Sequence, residues 1–302
     1  MNNHAKRDWH EYNQKLINRG SLTFWLDQDC LKSWMSKHRK KGRPSFSNLV
    51  IQAGWIIKSI YRLSLRSLQG FLDSILKILK LNLKSPNYTL FCKRAKESAD
   101  FLPKLSNKKP SVLVIDSSGL KIHGEGEWKV KIHGSEKRRG WIKLHIAVDP
   151  KTQELIAIDI TDDQIADSCM LPKLLEKSPK SVKKVLADGA YDRASCRQDL
   201  LKRGIEGCIP SRRKGRQRDD QGFNKRNCDL RVINLFRGNE VAFSLWKKLV
   251  DYHKRSLVET AFSRLKRLFG DRLNNKILKN LEAETIYRCH ALNRMNRIQY
   301  IN

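Results

Sequence analysis

SVLVID, Ser111 to Asp116, is the stretch on which the fold turns. A continuous run of β-branched and aliphatic residues is what a strand buried on both faces requires, and such strands belong to sheets covered by helices. An acid closes the run. The reading therefore puts Asp116 at a strand end, where the sheet holds a side chain rigidly and a loop keeps it accessible. Downstream, Glu127 to Ile132 reads as another strand. Trp141 to Asp149 sets Trp141, Lys143 and His145 against Ile142, Leu144 and Ile146, the two-residue period of a strand. Glu154 to Thr161 follows, with Pro150 to Gln153 as the turn. Met170 to Lys177 is helical, Val182 to Ala187 is a strand ending at Asp188, and Ser195 to Arg203 is a helix closed by Gly204. Glu206 to Ile209 is a short strand stopped by Pro210. A meander, then alternating helix and strand, then a long helix make a mixed α/β sheet flanked by helices.

Upstream of SVLVID the period changes. Phe101 to Pro110, rich in Lys and Pro, divides an all-helical N-terminal region (residues 1–105) from the sheet-bearing region (106–302). Cys30 to Lys40 reads as a short helix ended by Gly42, Arg43 and Pro44. Ser45 or Ser47 can cap a second helix, Ser64 begins a third, and Asn87 can cap a fourth, short and basic, that includes Arg94. Packed helices followed by a short basic one are compatible with a helix-turn-helix, and equally with a small scaffold bundle. Ser211 to Arg226 holds seven Lys or Arg with no apolar periodicity and reads as a basic loop.

Lys and Arg number 61 against 31 Asp and Glu, a net charge of 61 − 31 = +30 over 302 residues. An excess of that size suits a polyanion, with nucleic acid favoured through phosphate neutralisation and counterion release. No stretch approaches the roughly 18 apolar residues of a spanning helix, and Met1 to His10 is polar, without a signal-peptide core. Seven cysteines form no C-x-x-C pair, which fits reduced thiols better than a disulfide framework or a zinc site. The expectation is a cytoplasmic, DNA-associated protein.

Chemistry concentrates near the C-terminus. Placed on one helix, Tyr252, Arg255, Glu259 and Lys266 share a narrow arc, while Leu257, Val258, Ala261, Phe262, Leu265, Leu268 and Phe269 share another. One face packs; beside it lies a lone carboxylate among groups that suit a polyanion. Asp116 and Asp188 are the natural partners of Glu259. Three carboxylates drawn together repel, each pair by about 4 kcal/mol at 4 Å and an effective dielectric near 20, so a cation is required among them. Oxygen donors favour Mg²⁺ or Mn²⁺ over zinc. Two such ions can drive phosphoryl transfer on DNA. Asp192 is the main rival to Asp188; Asp159, Asp162, Asp163 and Asp167 read as turn residues or caps. Arg138, Arg139 and Lys143 are either DNA contacts or a solvated face, His145 and His253 are structural or phosphate-facing, and Trp128 and Trp141 are core residues before they are stacking platforms.

The spacing Tyr252-x2-Arg255-x3-Glu259-x6-Lys266 resembles the Y-R-E-K signature of bacterial insertion-sequence transposases of the DDE class, and the surrounding text resembles their IS-five branch. Four ordered blocks carry the likeness: VIDSSGLKIHGEGEWKVKIHG (Val114 to Gly134), KRRGWIKLHIAVD (Lys137 to Asp149), LADGAYD (Leu186 to Asp192) and RSLVETAFSRLKRLFG (Arg255 to Gly270). It reaches from about Arg19 to ALNRMNR, Ala291 to Arg297. The resemblance implies an RNase H-like core in which Asp116, Asp188 and Glu259 are catalytic and hold two Mg²⁺ ions, with Tyr252, Arg255 and Lys266 on the DNA backbone. It implies binding of terminal inverted repeats, cleavage to a 3′-hydroxyl, joining to target DNA, and action as a dimer or larger multimer. A nuclease or resolvase without transposition and an inactive DNA-binding copy are the alternatives.

Overall fold

Three side chains start three N-terminal helices. Ser47 Oγ accepts the Val50 N–H at 3.3 Å, Ser64 Oγ the Ser67 N–H at 3.1 Å, and Asn87 Oδ1 the Leu90 N–H at 2.8 Å. Each answers a donor that a helix end leaves unpaired. The helices run Asn48–Ile60, Leu65–Ile78 and Tyr88–Lys93. The structure, a computed structural model, describes residues 8–36, 46–122, 140–211, 216–235, 240–275 and 277–298. The chain divides into two compact units, Met1–Pro103 with Asn275–Asn302, and Lys104–Asn274.

In the helical unit, Asn48–Ile60 is buried on nearly every side from Val50 to Ser59, the mark of a central helix. It packs against Ala95–Asp100 and the long C-terminal helix Leu278–Arg297. Trp55 stacks on Tyr287 with ring centroids 5.5 Å apart and donates its indole N–H to the Phe91 carbonyl at 3.1 Å. Gly54 is required here, because a Cβ would come within 2.3 Å of the Phe91 ring. The expectation that the sheet-bearing region runs to residue 302 is therefore corrected: the last helix completes the N-terminal unit, its apolar and small residues filling the groove beside Trp55. A second correction concerns Cys30 to Lys40. The helix is Gln28–Lys32, and Met35 then bridges to Phe46 in extended conformation; residues 37–45 lie outside the described residues.

The other unit is built on a mixed sheet of β1 (Val112–Ile122), β2 (Trp141–Val148), β3 (Leu155–Asp162), β4 (Lys184–Leu186) and β5 (Glu206–Cys208), ordered β3-β2-β1-β4-β5. A two-residue strand, β6 (Arg272–Leu273), runs parallel to the far end of β1. The first three strands are antiparallel neighbours; β4 and β5 run parallel to β1. This is an RNase H-like arrangement, as the resemblance implies. On one face Leu113, Ile115, Ala147, Val185 and Ala187 pack with Leu171, Leu174, Cys196 and Leu200 from the helices Leu171–Glu176 and Ala194–Lys202. The helix Ser256–Phe269 lies against β1 and β2, burying Val258, Ala261, Phe262, Leu265 and Phe269.

Strand β1 is longer than SVLVID. It pairs with β2 from Val114↔Val148 to Lys121↔Trp141, so Asp116 sits within the strand instead of ending it. What ends near Asp116 is the pairing on the other edge, since β4 accompanies β1 only as far as Val114↔Leu186. The expected strand at Glu127 to Ile132, like Trp128, Arg138 and Arg139, lies outside the described residues.

Candidate active site

Register places the two aspartates. Val114 faces Leu186 across parallel strands, and Asp116 and Asp188 each lie two residues further on. Neighbouring strands run about 4.8 Å apart, so Asp188, just past the end of β4, lies beside Asp116 within β1, near enough for their charges to interact. Asp116 and Ser118 share one face of β1 by the two-residue period, the face turned towards the helix Ser256–Phe269. That helix supplies Glu259. Arg255, at the end of a 3₁₀ turn Tyr252–Arg255, donates to Asp116 Oδ2 at 3.3 Å and to Glu259. Lys266 donates to Ser118 Oγ at 2.7 Å.

Local donors hold the aspartates in place: the Ser117 N–H reaches Asp116 at 2.8 Å, and the Ala190 N–H reaches Asp188 at 2.9 Å. Burial pushes the Asp116 carboxyl above its ordinary range; nearby Asp188 and Glu259 push it the same way, against the Ser117 N–H and Arg255. Burial works against the Arg255 charge, yet Tyr252, Glu259 and Asp116 together hold its pKa above the usual value. The donor set is all carboxylate oxygen, the chemistry that hard divalent ions take. Among the described residues, no three His, Cys, Asp or Glu side chains are gathered tightly enough to hold an ion. The Arg255 guanidinium stands between Asp116 and Glu259 instead.

The description Transposase DDE domain matches residues 107–294, more than half of the chain, and a second match with the same description covers residues 17–125. The chain belongs to the DDE transposase family. It is accordingly a DNA-cleaving and strand-transferring enzyme, from a family that normally uses divalent metal ions. Among solved structures it is similar to a piggyBac transposase synaptic complex with hairpin DNA, at 11% identity and a TM-score of 0.46, over 93% of this chain and 73% of that one.

Other expected residues have definite places. Tyr252 is buried, and its hydroxyl donates to the Ala187 carbonyl at 3.1 Å, which steadies the backbone just before Asp188. It is not on the long helix, because the 3₁₀ turn precedes that helix's first residue, Ser256. Lys143 is engaged by the Ile165 carbonyl at 2.8 Å and by Asp167 at 3.1 Å. In the helical unit, Arg94 donates to the Phe46 carbonyl at 2.6 Å and to Asn48. Asp192 is a structural acid: Arg197 at 3.0 Å and Arg226 at 3.0 Å both hold it, and its side chain is 4% exposed. His145 is fully buried against Thr161 at 2.9 Å.

The expected basic loop from Ser211 to Arg226 is corrected in part. Residues from Asn224 begin a helix, Asn224–Leu235, because buried Asp192 draws in the Arg226 guanidinium; a second helix, Glu240–Leu249, follows. That second helix adds residues the sequence reading missed. Phe243, Trp246 and Lys247 line a cavity of about 660 Å³ beside Asp188, Tyr252 and Arg255. Their i, i+3, i+4 spacing was the available signal. Among the described residues, no helix is long and apolar enough to cross a membrane.

Proposed function

We propose that this enzyme is the transposase of a bacterial insertion sequence of the IS-five branch, acting on DNA in the cytoplasm beside the nucleoid. It binds the terminal inverted repeats of its own element, cleaves to expose a 3′-hydroxyl, and joins that end to target DNA. Asp116, Asp188 and Glu259 are the catalytic carboxylates and would hold two Mg²⁺ or Mn²⁺ ions. When bound, such ions activate an attacking oxygen and stabilise the leaving one. The single observation carrying this reading is that Asp188, just past the end of β4, comes close enough to Asp116 in β1 for their charges to interact, with Glu259 linked to Asp116 through Arg255.

The chain's own residues then divide the work. Tyr252 fixes the backbone that presents Asp188. Arg255, paired with Asp116 and Glu259, and Lys266, which donates to Ser118, suit the DNA backbone on either side of the cut. Arg138, Arg139, Lys143 and Arg94 add further positive charge for the duplex. The helical unit holds the ends, and two copies or more hold two ends together. Incubating the protein with Mg²⁺ and a duplex carrying the repeats that flank its coding region tests the reading. A nick at the repeat boundary, followed by joined product, is expected. Cleavage without regard to the repeats would leave only a general nuclease.

A further inference from the structure

We infer that Arg255 is the internal counter-ion of the carboxylate site: it competes with the divalent metal for Asp116 and Glu259, and DNA draws it away. The inference rests on the metal-binding reading above and adds a coupling to it.

Arg255 is the ion-pair partner that Asp116 and Glu259 share, and among the described residues neither has another. A carboxylate lone pair given to a guanidinium N–H is not available to a hard cation at the same moment. Arginine and metal therefore exclude one another at those oxygens. The arrangement can exchange, because the site is open to water. Side-chain exposure is 23% for Arg255, 19% for Asp116 and 57% for Glu259. Ion pairs with that much access to water are weak and exchange readily. Asp192 shows the contrast, with exposures of 4% for the acid and 2% and 7% for its two arginines. That pair is fixed.

A DNA phosphate offers the guanidinium an equivalent acceptor, since its planar fork matches phosphate as well as carboxylate. Once Arg255 turns to phosphate, Asp116 and Glu259 are left as uncompensated anions beside Asp188, and their affinity for a divalent ion rises. Linkage makes the effect mutual: DNA tightens metal binding, and metal tightens DNA binding by the same factor. Free enzyme is thereby kept from loading metal before an end is engaged.

The test is Mn²⁺ binding followed by the electron paramagnetic resonance of the free ion. Wild type, Arg255→Gln and Lys254→Gln are compared, without DNA and with a saturating plain duplex whose own Mn²⁺ binding is subtracted. Circular dichroism checks that all are folded. For wild type, duplex should tighten Mn²⁺ binding about tenfold, a usual size for coupled sites. Arg255→Gln should bind about tenfold more tightly without DNA and gain nothing further from it. Lys254→Gln removes a charge next door that contacts Asp251 and should match wild type. Arg255→Gln binding as weakly as wild type, or still tightening on duplex, would overturn the inference. So would Lys254→Gln reproducing the Arg255→Gln gain, because general charge would then explain it. Asp116→Asn and Glu259→Gln separate the two layers: both should lose Mn²⁺ binding, and unchanged binding in them would sink the carboxylate reading itself.

Discussion

Asp188 and Asp192 flank a single 3₁₀ turn, Gly189–Tyr191, yet their surroundings differ in kind. Asp192 is sealed from water and gripped by Arg197 and Arg226, which are buried with it. Arg197 also donates to the carbonyls of Gly207 at 3.1 Å and Ile209 at 2.8 Å, so the cluster ties the turn to β5 and to the helix Asn224–Leu235. Asp188 is half-buried, accepts one backbone N–H, and borders an open cavity. The helical unit repeats the first pattern with Glu284, 1% exposed and held by Arg288 at 2.8 Å and Lys58 at 3.4 Å. Acids that stabilise this protein are matched by fixed, buried cations. Of the acids proposed to react, Asp116 and Glu259 share one accessible guanidinium, and Asp188 is held, among the described residues, by a backbone N–H alone. Compensation, more than position, separates the two roles.

The largest effect expected from breaking that contrast is in stability. Asp192→Asn leaves two buried guanidiniums without their anion and should cost about 3–5 kcal/mol. Asp188→Asn, four residues away, should change stability by less than about 1 kcal/mol, since it removes a charge near Asp116 and keeps an oxygen for the Ala190 N–H. Urea unfolding of both variants measures the gap, and equal losses would erase the distinction.

A smaller effect comes from a half-buried base in the helical unit. His290 is pushed down to about 4, by burial first and by Arg297 second. The folded state thus holds a neutral imidazole while the unfolded chain takes up a proton near pH 6.5. Its contribution is complete above about pH 6.5 and is lost as pH falls towards 4, on the order of 2 kcal/mol in all. His290→Gln should flatten the fall of the thermal midpoint across that window. An unchanged slope would show that the imidazole is already protonated in the fold.

Smallest is the effect of Lys266, now donating to Ser118 Oγ. Lys266→Ala should lower the slope of log binding constant against log salt by about 0.9, the loss of one phosphate contact. An unaltered slope would leave the lysine as a brace between helix and strand.

Much of the architecture was legible because it is local. Caps at Ser47, Ser64 and Asn87 show in the sequence as a small polar residue before an apolar run. The strands at Trp141, Glu154 and Val182 appear through their period. What escaped depends on partners far along the chain. The extension of β1 past Asp116 is set by pairing with β2, and the place of Leu278–Arg297 by a groove some 200 residues upstream. A uniform 100° step put Tyr252 in the polar arc, but a 3₁₀ turn takes three residues per turn and rotates it inward onto Ala187. At the site, the three acids were legible as candidates and the arginine spanning two of them was not. Periodicity ranks residues by face; it does not say which acid a given cation will choose.

The most direct test of the account is the joining of a pre-cut 3′ end to target duplex in Mg²⁺ by Glu259→Gln. Joined product should fall by about a thousandfold or more, roughly 4 kcal/mol of lost transition-state stabilisation, while the variant still retains the duplex. Joining at the wild-type rate would contradict it.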